Sequence, residues 1–252
     1  MSKILAIIPS RYNSTRLPGK PLLDIGGKTM IERVYTSVLK SNLLTKVVVA
    51  TDDDRILKEV VRFGGEAVIT SADHKSGTSR VFEAAKMFPD YNLILNIQGD
   101  QPFVNSRHID ELCRLLCKHG GETCVVTPVL KITKSDDVFD SSISKVILGA
   151  GKRAIFFSRQ AIPYARDKNK LLWHKRFDYW KHVGIYGYTS SSIDKISSLP
   201  VSNLEEVEAL EQLGWLYNNI PIYTTEVSGE SISVDTEDDW KVAINMANGK
   251  LD

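Results

Sequence analysis

Between residues 4 and 118, short apolar runs alternate with amphipathic helical stripes, and no other property of the sequence narrows the possible folds as far. Residues 4–8, 46–50, 67–70 and 93–97 read as buried strands. Residues 30–39, 55–63, 78–88 and 105–118 read as the helices between and after them. Strands separated by helices return by crossover rather than by hairpin. The expected fold is therefore α/β, a mostly parallel Rossmann-like sheet with helices on both faces. The second half is less regular. Residues 123–129, 182–188 and 222–226 read as strands, and 145–148 with 154–158 as a hairpin about Gly149 and Gly151. Residues 204–217 read as one long helix, and 237–247 as a closing helix capped near Asp235 or Thr236. The charged, aromatic stretch 166–181 has no clear period and reads as an excursion. With no repeat or linker, one domain over 1–252 with an inserted arm is the expectation.

Composition excludes several classes. The chain has 252 residues, and its formal net charge of +1 gives no field that points to nucleic acid or a membrane surface. Its apolar runs are too short to span a bilayer. It enters a strand directly, without the order of an export signal, so a cytoplasmic location is expected. Three cysteines form no framework, and Cys113 and Cys117, one turn apart, are expected on the inner face of their helix.

The chemistry starts where the first strand ends. Arg11, Arg16 and Lys20 share one loop with two prolines, a glycine and no acid before Asp24. Open α/β sheets bind ligands at the carboxyl ends of their strands. Guanidinium groups fork onto phosphate oxygens and a lysine acts as a point charge, so the loop suits a polyphosphate. The plain alternative is a solvated basic loop. No glycine-rich phosphate motif is present.

Asp100 follows the fourth strand between Gly99 and Gln101-Pro102. Beside phosphates, such a carboxylate suits Mg²⁺, which takes one or two carboxylates and keeps its other positions for water and substrate. Asp235 is the second candidate, although it or Thr236 also makes a good helix cap. Ser76-Gly77-Thr78 lets backbone approach a flat ligand, and Arg80 opposes the dipole of its helix, which hints at an anion. By the period of two, His182, Gly184, Tyr186 and Tyr188 share a strand face fit for a sugar acid. Glu211 and Gln212 would ordinarily be solvated.

These runs, in order, resemble the 3-deoxy-manno-octulosonate (Kdo) cytidylyltransferases. The matching pieces are PSRYNSTRLPGKPL, VATDD, ADHKSGT, NIQGD, FSRQAIP, KHVGIYGY, LEQL and VDTEDD, spread from Pro9 to Asp239. The resemblance implies a single domain of the nucleotide-diphospho-sugar transferase type with a dimerisation and sugar-binding arm. It implies a homodimer using CTP, a 3-deoxy-octulosonic acid and Mg²⁺, and CMP-Kdo as a donor for lipopolysaccharide. Arg11, Arg16 and Lys20 would bind the triphosphate, with Ser76, Gly77 and Arg80 around the cytidine. Asp100 and Asp235 would hold the metal. Gln98, Arg159, His182, Tyr186, Glu211 and Gln212 would line the sugar-acid pocket. Lys20, Arg16 and Asp100 would carry catalysis. Gln101 and Ser79 stand where the family commonly has acids, and Gln101 is similar to relatives that activate the 8-amino-3,8-dideoxy acid. A sugar-1-phosphate nucleotidyltransferase, a glycosyltransferase using Asp52-Asp53-Asp54, and a catalytically silent nucleotide-binding module are the competing readings.

Overall fold

A computed structural model describes residues 3–13, 17–166 and 168–250. The chain divides into two compact units, one built from the chain up to Cys113 and from Glu230 onward, the other from Arg114–Gly229.

In the first unit the strands are β1 (Ile4–Ser10), β2 (Lys46–Thr51), β3 (Ala67–Ile69) and β4 (Leu93–Asn96). They lie in the order β3-β2-β1-β4, every pair parallel. The parallel sheet that the alternation demands is thus present. Strands buried on both faces read as unbroken apolar runs, and Leu5, Ala6, Ile7 and Ile8 are all fully buried. The helices are α1 (Met30–Val38), α2 (Asp54–Arg62), α3 (Gly77–Lys86) and α4 (Ser106–Lys118), the last of which continues past the end of this unit. Asp53 caps α2 by accepting from the Arg55 amide, so the aspartate triplet is a helix start. On α4, Cys113 is buried as expected, but Cys117 is exposed. The buried stripe of α4 runs through Ile109, Leu112, Cys113 and Leu116, and Cys117 falls on its outer edge.

Two close approaches shape the ends of β1 and β4. A Cβ on Gly99 would stand 2.7 Å from the carbonyl oxygen of Pro9, and a Cβ on Gly77 would stand 3.3 Å from the Pro9 ring. Only glycine lets the post-β4 loop lie that near β1. Gly99→Ala is expected to cost about 1–3 kcal/mol of stability through overpacking, read as a lower urea midpoint with an unchanged denaturant slope.

The second unit is mixed. Its strands are β5 (Val125–Lys131), β6 (Lys145–Leu148), β7 (Ala154–Ser158), β8 (Trp180–His182), β9 (Tyr186–Thr189) and β10 (Ile222–Val227). The hairpin of β6 and β7 forms, while β5 pairs antiparallel with β8 and β9 and parallel with β10. Its helices are α5 (Ser135–Phe139), α6 (Trp173–Arg176), α7 (Ser190–Ser197), α8 (Asn203–Glu208) and α9 (Glu211–Tyr217).

Two sequence expectations change here. The strand expected over 182–188 is two strands, interrupted at 183–185. The long helix expected over 204–217 is broken at Ala209, which adopts φ 50°. The break has a tertiary cause. Arg159 donates through Nε to the Glu208 carbonyl at 2.8 Å and through Nη2 to the Ala209 carbonyl at 3.4 Å. The Glu208 carboxylate in turn accepts from the Ser158 hydroxyl and the Arg159 amide at 2.6 and 2.9 Å. These bonds satisfy the carbonyls that end α8 and offset the cost of a left-handed alanine. The excursion 166–181 carries α6 and β8. Trp173 and Tyr179 are buried there with Ile132 and Val138.

The final helix, α10 (Glu237–Ala247), belongs to the first unit. Thr236 and Asp239 form a reciprocal capping box, so Thr236 is the cap and Asp235 is not. Val234 and Ala243 bury against Ile25 and Met30, which draws the start of α10 toward the β1 loop. No helix among the described residues is long and apolar enough to cross a membrane.

Candidate active site

A cleft of about 420 Å³ opens in the first unit at the carboxyl ends of β1 and β4, the position at which parallel sheets expose ligand sites. Ser10 and Arg11 enter it from β1, Lys20 from the loop that follows, Ser76 and Gly77 from the start of α3, Gln98 and Asp100 from behind β4, and Asp235 from ahead of α10. Arg16 lies outside the described residues. The Gly19 amide donates to the Tyr12 carbonyl at 3.1 Å. Gly19 sits at φ 69° with the Tyr12 ring about 3 Å from where a Cβ would be, so a larger residue would strain the turn that presents Lys20.

At the centre of the cleft, the Lys20 ammonium donates to Asp100 Oδ2 at 3.1 Å, to Asp235 Oδ1 at 3.2 Å and to the Val234 carbonyl at 2.9 Å. The last of these, and a bond from the Val234 amide to the Asp100 carbonyl at 2.9 Å, tie the pre-α10 segment to the post-β4 loop. Residues 135 positions apart in sequence thereby share one cation. The side chains are only partly exposed, 15% for Lys20, 25% for Asp100 and 38% for Asp235. Two hard oxygen donors converging on one cation are what a Mg²⁺ site asks of a protein. Among the described residues no larger group of metal-ligating side chains exists.

Arg80 also lines the cleft, but its charge is already answered. It is 3% exposed, and it donates to Asp52 Oδ2 at 2.9 Å and to Thr70 Oγ1 at 2.6 Å. Its unfavourable position in α3 is offset by Asp52, a partner that sequence distance concealed. Ser76 caps α3 by accepting from the Ser79 amide at 3.1 Å, and the Ser79 hydroxyl turns back to the Ser76 carbonyl. The helix start in the cleft wall favours an anion through its free N–H groups. His74, also in the wall, pairs with Glu83 and holds that carboxyl below its usual range. Gln101, by contrast, is buried behind the loop with its amide oxygen unpartnered, and it does not line the cleft.

The other expected sugar-site residues lie in the second unit. His182 and Tyr186 stand with ring centroids 5.1 Å apart, and the Tyr186 hydroxyl donates to Gln212 Oε1 at 3.1 Å. Burial pushes the Tyr186 hydroxyl well above its usual range, with a further push from Glu211. Gln212 is 2% exposed rather than solvated. The break at Ala209 resets the helical phase, so the face read from one continuous helix is the wrong one. Arg159 is held by the end of α8, and its Nη1 also donates to the Ser141 and Ser142 carbonyls at 3.2 and 3.4 Å.

Burial lowers the His182 pKa to about 4, from the ordinary 6.5. The imidazole is therefore neutral in the folded protein at neutral pH. Between pH 6.5 and 4 the unfolded chain binds the proton and the folded one does not. Stability accordingly falls as pH drops through that window, by about 3 kcal/mol over its width. Urea titrations at pH 7 and pH 4.5 are expected to show a smaller loss in His182→Gln than in the wild type.

Comparison with known proteins places the whole chain in one family. The family model described as Cytidylyltransferase matches residues 5–227. A 3-deoxy-manno-octulosonate cytidylyltransferase of Cytophaga hutchinsonii is 43% identical over 238 residues, covering 94% of each chain. One of Parabacteroides distasonis is 43% identical over 250 residues, covering 97% of this chain and 98% of its own. Among solved structures, a CMP:2-keto-3-deoxy-manno-octonic acid synthetase complexed with CTP superposes with a TM-score of 0.92 at 37% identity, covering 99% of this chain and all of that one. A 4-diphosphocytidyl-2C-methyl-D-erythritol synthase of Anaerococcus prevotii, TM-score 0.63 at 14% identity, shares the fold alone. With the family model matched over residues 5–227 and relatives 43% identical along nearly their whole length, the chain belongs to the cytidylyltransferase family, among the 3-deoxy-manno-octulosonate cytidylyltransferases.

Proposed function

We propose that the protein transfers CMP from CTP to the anomeric hydroxyl of 3-deoxy-manno-octulosonate, releasing pyrophosphate. The supporting observation is the Lys20 ammonium held between Asp100 and Asp235 in a cleft at the strand ends, together with relatives that bear this activity in their names. The hydroxyl oxygen attacks the α-phosphorus, the bond to the bridging oxygen breaks, and the hydroxyl proton passes to solvent. Such a transfer needs alignment and neutralised charge more than covalent help. Arg11 and Lys20 neutralise the triphosphate, with Arg16 proposed beside them. Ser76, Gly77 and the buried Arg80 form the wall against which the cytidine lies. In the second unit, His182, Tyr186, Glu211 and Gln212 bind the sugar acid, with Arg159 proposed as a further contact. Asp100 and Asp235 would hold Mg²⁺, which when bound draws charge from the phosphates and makes the attacking hydroxyl a better nucleophile.

We further propose a homodimer that works in the cytoplasm and supplies a donor for lipopolysaccharide. Exposed Phe139, Tyr164 and Phe177 ring the buried Trp173–Tyr179 pair at 5.1–5.3 Å. A second copy of the chain would cover these rings, and sedimentation velocity reads the dimer directly. Pyrophosphate release from CTP and Mg²⁺ is expected with Kdo above its 8-amino analogue and sialic acid. Release that is fastest with the 8-amino acid moves the assignment to that substrate. CTP binding with no release on any of the three acids turns it to a silent nucleotide-binding module.

A further inference from the structure

The interruption between β8 and β9 carries a consequence for the sugar-acid site. Strand β5 pairs Val126 with Gly187 and Val129 with His182. Only Thr127 and Pro128 lie between those pairs on β5, against residues 183–186 on the other side. The partner therefore bulges, as strands often do beside active sites. Carbonyls of the bulge turn out of the ladder. The fully buried Thr127 hydroxyl lies 2.8 Å from the Ile185 carbonyl oxygen and 3.2 Å from that of Val183, and His182 Nε2 lies 2.9 Å from the same hydroxyl.

We propose that Thr127 is a positioning residue for the sugar-acid site: its hydroxyl donates to a bulge carbonyl and accepts the Nε2 proton of His182, leaving Nδ1 as an acceptor for a hydroxyl of the sugar. A hydroxyl carries one proton. With two carbonyl oxygens at hydrogen-bond distance, that proton must go to one of them, because oxygen lone pairs do not meet at 2.8 Å without one. The threonine oxygen can then only accept from the imidazole, which puts the ring proton on Nε2. In a neutral imidazole the other nitrogen is bare. Nδ1 has no hydrogen-bond partner among the described residues. The same logic extends to Gln212. Its Oε1 accepts from the Tyr186 hydroxyl, while its Nε2 is buried without a partner. The acceptor left at His182 Nδ1 takes a hydroxyl of the sugar and cannot take its carboxylate.

This role rests on the reading of His182 as a sugar-acid contact, and the experiment separates the two. Nitrogen-15 spectra of histidine-labelled protein, with His182 assigned by its loss in His182→Gln, are expected to show protonated Nε2 and bare Nδ1. Thr127→Val removes the acceptor. It is expected to shift the ring toward the Nδ1–H form and to raise KM for the sugar acid about tenfold, with KM for CTP within twofold and kcat changed less than KM. Thr127→Ser is expected to restore both the spectrum and the KM, which a purely structural role for the side-chain volume would not do. A wild-type ring protonated on Nδ1 overturns the role of Thr127. A Thr127→Val protein that keeps the Nε2–H form and a wild-type KM does the same. A His182→Gln protein with unchanged sugar KM, in the face of the Nε2–H spectrum, overturns the sugar contact itself.

Discussion

Asp100→Asn is expected to lower pyrophosphate release by a hundredfold or more at saturating CTP and Mg²⁺, with a native circular dichroism spectrum. The substitution keeps the shape and the acceptor oxygen and removes one charge. Groups aimed at charge that develops in a transition state typically contribute that much to rate. Folding is expected to change little, by less than about 1 kcal/mol, since the pair with Lys20 is partly exposed and screened. Lys20 also keeps Asp235 and the Val234 carbonyl at 3.2 and 2.9 Å. The carbonyl of Asp100, which anchors Val234, belongs to the backbone and is untouched. Near-normal turnover at limiting Mg²⁺ would remove Asp100 from the reaction.

Lys20→Ala is expected to lower the rate by a similar factor, and it separates two roles for the lysine. Without its ammonium, Asp100 and Asp235 lose the cation they share and the Val234 carbonyl loses its donor. Stability is expected to fall by about 1–3 kcal/mol. Because both carboxylates remain, millimolar Mg²⁺ is expected to restore most of that loss by binding the folded state alone. It should also raise the urea midpoint more in the variant than in the wild type, where the lysine competes for the same oxygens. If Mg²⁺ moves neither midpoint, the carboxylate pair is an ion-pair anchor for the α10 segment and the metal lies elsewhere.

Much of this was legible in the chain. The parallel order of the first unit follows from strands of continuous apolar residues spaced by helices, and the caps at Asp53, Ser76 and Thr236 fall at or beside expected helix starts. Arg11, Lys20, Ser76, Gly77, Arg80, Gln98, Asp100 and Asp235, expected at a site, line one cleft. The misreadings have a common source. Residues 204–217 have helical periodicity throughout, and nothing local signals a break at Ala209. The break depends on Arg159, fifty positions earlier, bonding the carbonyls that end α8. The Asp52 partner of Arg80 lies 28 positions away in sequence and was not read, and Gln212 was expected in solvent because its helix was given the wrong phase. Thr127 carried no signal at all, since a threonine beside a proline in an apolar run is ordinary strand chemistry.

Local periodicity and turn chemistry determined which segments are strands and helices in the first unit and where the basic loop sits, because backbone sterics and hydrophobic patterning act over a few residues. Only the tertiary structure decided that Asp235 meets Asp100 at Lys20 and that His182 gives its Nε2 proton to Thr127. Those outcomes follow from burying Val234 against Ile25 and Met30, and from a bulge whose carbonyls must find a donor. Both are demands of packing and hydrogen-bond satisfaction between residues far apart in the chain, and no short window of sequence contains them.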